Sequence, residues 1–442
     1  MLKSLKKKLS VCAYIAAGAV ASTVANAQTT LTIATVNNAD MIVMQKLAPQ
    51  FEKANPDIKL KWVTLEENIL RQRITADIAT NAGLLDIVTV GTYEVPIWSK
   101  LGWLLPVTNI PESYNVDDLI KPVRDILSTD NQLYALPFYG ESAFTMYRKD
   151  LFDKAGLQMP QEPKWSQIAE FAKKLHNPQG GVYGLCLRGK PGWGENVSTV
   201  ADLVNSYGGR FVDENWQPQL KSPEWKAGFK FYVDVMQKYG PKGAVSNGYN
   251  ENLALFSGGH CAMWVDATVA AGTLDDPKQS TVAGKVGYAM APYETTQKGS
   301  HYLWAWNLAI PKSTKKAEAA KKFIVWATSP EYIHLVAKTN GWGRVPPGTR
   351  VSTYENPQYQ KAAPYSALVL ESMSTADMRN PTQKPVPYVG ITNMNIPEFQ
   401  QIGTDLGQQI AAAVAGSATP DEALETAQAN MTRALKQGGY LK

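Results

Sequence analysis

Apolar and polar positions in the first quarter of the chain describe strands and helices in strict rotation. Residues 31–36 (LTIATV) are a β-rich run that stops at Asn37–Asn38. Met41, Met44, Ala48 and Phe51 then recur at helical spacing and predict an amphipathic helix. Pro49 predicts a kink within it, and Asn55–Pro56 ends it. Residues 58–63 (IKLKWV) alternate as a strand, and 70–81 predict a second helix with Ile74 and Ile78 four apart. Residues 86–90 (DIVTV) make a third strand that ends at Gly91. This β-α-β-α-β order implies a mainly parallel sheet with helices on both faces. A ligand of such a sheet sits beyond the carboxyl ends of its strands. The residues there are Asn37, Asn38 and Asp40, then Glu66 and Asn68, then Thr92, Tyr93 and Glu94. Each is also a natural cap or turn residue; the recurrence of a polar cluster at three equivalent strand ends is what marks a site.

The pattern then repeats with other lengths. Residues 136–142 (LPFYGES) read as extended, and 143–150 (AFTMYRKD) as strand-like. A second α/β unit follows, with strands at 183–188, 261–265 and 286–290 and helices at 198–207 and 223–239. The intervening stretch 189–195 (GKPGWGE) is rich in glycine, but its order fits neither a dinucleotide fingerprint nor a P-loop. Residues 301–310 (HYLWAWNLAI) are an aromatic extended run, and 311–329 predict a helix with Ala320, Phe323, Ile324 and Ala327 on one face. A loop at 340–350 (NGWGRVPPGTR) precedes a mostly helical end, closed by an amphipathic helix at 419–438.

The first 27 residues change the compartment. Lys3, Lys6, Lys7 and Lys8, a short apolar run over 9–21 and Ala25-Asn26-Ala27 make a secretory signal peptide cleaved after Ala27, with an N-terminal anchor as the rival reading. With those four lysines set aside, 40 of the 44 basic residues face all 39 acidic ones. So even a balance lacks the footprint of a nucleic-acid or anionic-membrane binder. Only Cys186 and Cys261 remain, and export favours a disulfide between them over two separate thiols. All 12 tryptophans survive the cleavage, and Trp193, Trp304, Trp306 and Trp342 sit in polar or glycine-rich stretches. Flat rings beside Asn, Glu and Arg suit a sugar-like ligand.

Several stretches resemble the extracytoplasmic solute-binding proteins of carbohydrate ABC importers: FEKANPDI, LLDIVTVG, FTMYRKDLFDKAGL followed by Trp165, and AAKKFIVWATSPE. The likeness spans the whole mature chain, with Arg148 where the family usually has Asn. LEENILRQRITADIATNAGLLDIVTVGTYEVPIW and GWGRVPPGTR are similar to the polyol branch, which handles mannitol and sorbitol. The resemblance implies an α/β, two-lobed periplasmic-binding-protein fold, each lobe a mainly parallel sheet flanked by helices, with the ligand cleft at the hinge. The chain would cross near 137–142, 303–308 and 342–350. Lobe one would then hold 28–138 and the return segment 307–341, and lobe two 139–306 and 342–442. A monomer would capture a polyol or sugar by closing, then pass it to a membrane permease, with no cofactor or metal.

For a neutral, hydroxyl-dense ligand, Glu66, Glu94, Glu141 and Asp266 are expected to accept hydrogen bonds, Arg188 and Arg344 to donate, and Asn38 to do both. Asp40 and Tyr93 join them from the strand ends, and Trp264, Trp304 and Trp306 are expected to wall the cleft. The rival is a secreted glycoside hydrolase using two of these carboxylates. None of them has a recognisable nucleophile context, the four histidines show no metal spacing, and no GxSxG elbow occurs.

Overall fold

The computed structural model describes residues 28–442, so the leader and its cleavage point lie outside the described residues. β1 (Thr29–Val36), α1 (Ala39–Ala54), β2 (Ile58–Leu65), α2 (Glu67–Ala79), β3 (Ile87–Gly91) and α3 (Glu94–Lys100) follow in rotation. β1 pairs in parallel with both β2 and β3. Met41, Met44, Ala48 and Phe51 are all buried, as their spacing predicts. Pro49 lies on the exposed face of α1, where water can replace the N–H it lacks, and the helix runs on to Ala54.

β4 (Ala135–Glu141) and β5 (Ala143–Arg148) are separated by Ser142 alone, yet they belong to different sheets. Beyond them come α4 (Asn196–Ser206), α5 (Pro223–Tyr239), α6 (Tyr249–Ser257), β6 (Met263–Ala267), β7 (Val286–Met290) and β8 (Trp304–Ala309). The first sheet has the order β2-β1-β3-β8-β4 and the second β6-β5-β7. The expectation of mainly parallel sheets needs correcting at two strands. β8 is antiparallel to β3 and β4, and β5 is antiparallel to β6 and β7. The reason is direction of travel. Most strands run toward the edge that faces the other sheet, but a strand that has just crossed must start at that edge and run away from it. In the second sheet this crossing strand is central, so every pairing among its named strands is antiparallel.

Two further elements differ from the sequence reading. Residues 183–188 form no full strand, only isolated parallel bridges between Tyr183 and Cys261 and between Cys186 and Trp264. The helix expected from Pro311 begins only at Ala317, as α7 (Ala317–Ala327). The residues before it are committed elsewhere: Pro311 bridges to Leu104, Thr314 donates to Asp86 at 2.6 Å and Lys316 pairs with Asp86 at 2.9 Å. α7 packs on the first sheet, with Phe323 edge-on to Phe51 at 5.2 Å. α8 (Phe399–Ala415) and α9 (Pro420–Gln437) pack on α4 and α5 beside the second. Among the described residues no helix is long and apolar enough to cross a membrane.

Cys186 and Cys261 are joined in a disulfide, with their Cα atoms 6.0 Å apart and both side chains fully buried. It pins the 183–188 segment to the chain entering β6. With a sequence separation of 75 between the cysteines, the chain-entropy model allows about 4 kcal/mol of stabilisation. Denatured, unreduced mature protein should therefore show no titratable thiol, and the Cys186→Ser/Cys261→Ser double variant should lower the urea midpoint. Two free thiols per chain would contradict the bond.

Candidate functional site

A cavity with about 490 Å³ of free space, its mouth included, lies between the two sheets, lined by strands of the first and by loops and helices packed around the second. Strand alternation builds one wall. Tyr139 and Glu141 are two apart on β4, Trp304 and Trp306 two apart on β8, and the register sets Trp304 opposite Glu141 and Trp306 opposite Tyr139. All four line the cavity. Asn38, at the N-terminal end of α1, donates its amide to the Tyr139 hydroxyl at 2.6 Å and does not cap the helix. Glu141 is buried, and its Oε2 has no hydrogen-bond partner. Burial above all, with the charges of Asp266, Glu67 and Asp40, holds its carboxyl well above the ordinary range, against the pull of Arg188.

Arg188 forms the opposite wall. The bridge between Cys186 and Trp264 fixes two parallel segments side by side, and two residues further along each stand Arg188 and Asp266. Alternation then gives both the same face. Arg188 Nη2 donates to Asp266 Oδ1 at 2.6 Å and Nε to both carboxylate oxygens at 3.0 Å. Asp266 also accepts from Trp264 Nε1 at 3.0 Å and from the Ala267 N–H at 2.6 Å. The third guanidinium nitrogen, Nη1, donates to the Gly194 carbonyl at 2.8 Å. Burial works against the charge of Arg188, and Asp266 more than offsets it. Nearby Glu195 is pushed up to about 8 by burial, against Arg188.

Arg71 was not among the expected residues. It projects from α2 into the cavity, pairs with Glu67 at 2.9 Å and with Glu94, and lies 4.0 Å from the Trp193 ring and 4.8 Å from that of Trp306. Its signal was present in the sequence: Leu70, Arg71, Ile74 and Ile78 share one helix face, so a charge stands within an apolar stripe. Tyr302 was legible in the same way, since it precedes Trp304 and Trp306 in a series of spacing two, and it also lines the cavity. Trp193, Gly194, Ser198, Tyr249 and Thr392 complete the second wall. Trp193, Gly194 and Ser198 share one stretch, whose tryptophan the sequence reading had marked as a candidate ring, whereas Tyr249 and Thr392 come from distant segments that no local pattern connects.

Of the expected site residues, Asn38, Glu141, Arg188, Trp304 and Trp306 line the cavity. The others are placed differently. Asp266 is screened from the cavity by Arg188, and Trp264 is fully buried between Tyr249 and Phe256. Glu94 holds Arg71 from behind and accepts the Gly91 N–H at 2.9 Å. Tyr93 turns away and donates to the Ile396 carbonyl at 2.8 Å, its ring supporting Trp193. Glu66 is half-buried and pairs with Lys190 at 3.0 Å. Asp40 and Arg344 line a separate, smaller cavity, where Arg344 donates to Thr273 at 2.7 Å. The strand-end rule located the helix N-termini, but not which way each side chain leaves them. Among the described residues no group of three or more His, Cys, Asp or Glu is placed to hold a metal ion.

Known proteins share this architecture and much of this sequence. The chain is 53% identical over 413 residues to a mannitol-binding protein of Pseudomonas aeruginosa, covering 93% of this chain and 94% of that one. A crystal structure of an ABC transporter solute-binding protein from Agrobacterium vitis, with bound D-mannitol, matches with a TM-score of 0.93 and 56% identity. That match covers 94% of this chain and 100% of the other. A solute-binding protein from Agrobacterium radiobacter in complex with ribitol matches at TM-score 0.81 and 27% identity, over 92% and 98%. These relatives are binding proteins of transport systems, not enzymes, so the hydrolase reading falls away. The profile of the bacterial extracellular solute-binding proteins covers residues 37–333, well over half of the chain, and the chain belongs to that family.

Proposed function

We propose that the cavity takes an acyclic sugar alcohol of the mannitol class, that the two lobes close over it, and that the loaded protein serves the permease of an ABC importer. The observation that carries the reading is the pair of relatives, one named for mannitol and one holding it, each over half identical across more than nine-tenths of this chain. The chemistry of the walls supports it. An open-chain polyol has no broad C–H face and depends on hydrogen bonds along its length. Glu141 offers an unpartnered acceptor oxygen, Arg188 and Arg71 are cationic, and Asn38 offers an amide. Trp193 and Trp304, 5.7 Å apart, exclude water beside them. The division into lobes follows the sequence reading, give or take the few residues of the crossing strands. The working form is a monomer, exported and cleaved after Ala27.

Calorimetry against D-mannitol, D-sorbitol, D-arabitol, ribitol, D-glucose and maltose tests the ligand class; heat with glucose or maltose and none with any polyol would overturn it. Removing a partner from a dry cleft costs roughly 2–3 kcal/mol, so Glu141→Ala should weaken polyol binding about 30- to 150-fold. Arg344→Ala should stay near wild type, because Arg344 faces the other cavity.

Proton linkage follows from Glu141. With the cleft closed around it, burial raises its carboxyl well above the ordinary 4.5. A ligand hydroxyl donating to it favours the ionised form and lowers its pKa, so binding releases a proton between the bound and free values. Polyol affinity should therefore rise with pH from the ordinary carboxylate range upward, and the heat should differ between buffers of unlike ionisation enthalpy. Equal heats in such buffers would remove Glu141 from direct contact.

Small-angle scattering checks closure and monomer together. The mass should be that of one chain, and the radius of gyration should fall on saturation with mannitol.

A further inference from the structure

The glycine-rich loop at 189–194 matches no nucleotide motif, but its place in the fold gives it another task. It is clamped within the second lobe. Gly189 and Lys190 donate their backbone N–H groups to the Asn247 carbonyl at 2.9 and 3.0 Å, and Arg188 holds the Gly194 carbonyl. Behind it runs α8, whose Gly403 and Gly407 let it come close: a Cβ on Gly407 would stand 2.7 Å from the Gly192 nitrogen, and one on Gly403 would strike the Trp193 side chain. Asn196 closes the clamp by donating to the Gly407 carbonyl at 2.9 Å and that of Gly189 at 3.2 Å.

The opposite side of this fixed loop meets the first turns of α2 across the cleft. Asn68 Nδ2 donates to the Pro191 carbonyl at 3.1 Å, Lys190 pairs with Glu66 at 3.0 Å, and Trp193 lies over Arg71. The approach leaves no room for side chains: a Cβ on Gly192 would lie 2.5 Å from Asn68 Oδ1, and one on Gly194 would strike the Glu67 carboxylate. We propose that the 189–194 loop is a docking element that seats on α2 when the cleft closes, with Asn68 and Gly192 as the positioning pair that sets how long the ligand stays bound. The proposal rests on the closing-cleft reading above. Neither residue lines the cavity. Their effect is on the population of the closed state, to which the apparent affinity is proportional.

The test is a double-mutant cycle read by stopped-flow kinetics with D-mannitol. Asn68→Ala removes the cross-cleft bond, and Gly192→Ala drives a methyl group into the Asn68 amide. Each should raise the dissociation rate about tenfold, with the association rate little changed. In the Asn68→Ala/Gly192→Ala variant the amide is gone and the methyl no longer meets it, so the combined effect should be clearly smaller than the product of the two single effects. Any cost of a side chain at residue 192 within its own lobe is present in both backgrounds and cancels. The apo melting temperature of Asn68→Ala should match wild type. Wild-type rates in both single variants, or simple multiplication of their effects in the double, would overturn the docking role. A wild-type chain with no polyol signal would instead sink the functional reading itself.

Discussion

A guanidinium taken out of water must bring its counter-charge with it, and the pairing of Arg188 with Asp266 is the condition on which the second wall of the cavity depends. Stranding either partner would cost about 3–5 kcal/mol, more than most single contacts can offset. The disulfide at Cys186 and the bridge to Trp264 hold the two segments at the register the pair needs. The indole of Trp264 and the N–H of Ala267 satisfy what remains of the carboxylate. The Gly194 carbonyl then ties the same guanidinium to the loop that crosses toward α2. Held in that register, one ion pair fixes both a cavity wall and a loop position.

The first wall solves the same problem with more aromatic surface. Arg71 has two carboxylates for charge and indole faces for packing, so its guanidinium stays protonated although burial opposes it. Glu141 has no such partner. Arg188 lowers its carboxyl, but Asp266 has already claimed that cation through three hydrogen bonds, and burial prevails. An unpaired buried carboxyl destabilises a fold. Here that unmet demand stands at the edge of a cavity.

Much of the architecture was legible because periodicity reports burial, and burial decides which elements form. β7 and α5 have the bounds their patterns predict, and the buried face of α1 is the one its spacing gave. Strand direction was less legible, since a run of alternating residues carries no sign for whether the chain has just crossed between sheets. The helix misplaced at Pro311 failed for a different reason: Asp86, far away in sequence, takes hydrogen bonds from Thr314 and Lys316. Site residues divided along the same line. Tyr302 and Arg71 were readable from spacing alone. The inward position of Asp266, and the separate cavity that holds Asp40 and Arg344, depend on partners about 70 to 300 residues away, which one sequence does not pair.

The aromatic setting of Arg71 has an optical consequence. Trp193 belongs to the second lobe, Trp304 and Trp306 to the first sheet, and all three indoles surround one guanidinium within 5.2 Å of their ring centres. Any change in the angle between the lobes moves Trp193 relative to the other two and to the charge between them. Intrinsic ultraviolet emission thereby becomes a readout of cleft geometry, so the unlabelled chain carries the signal a solute sensor would otherwise need attached dyes to produce.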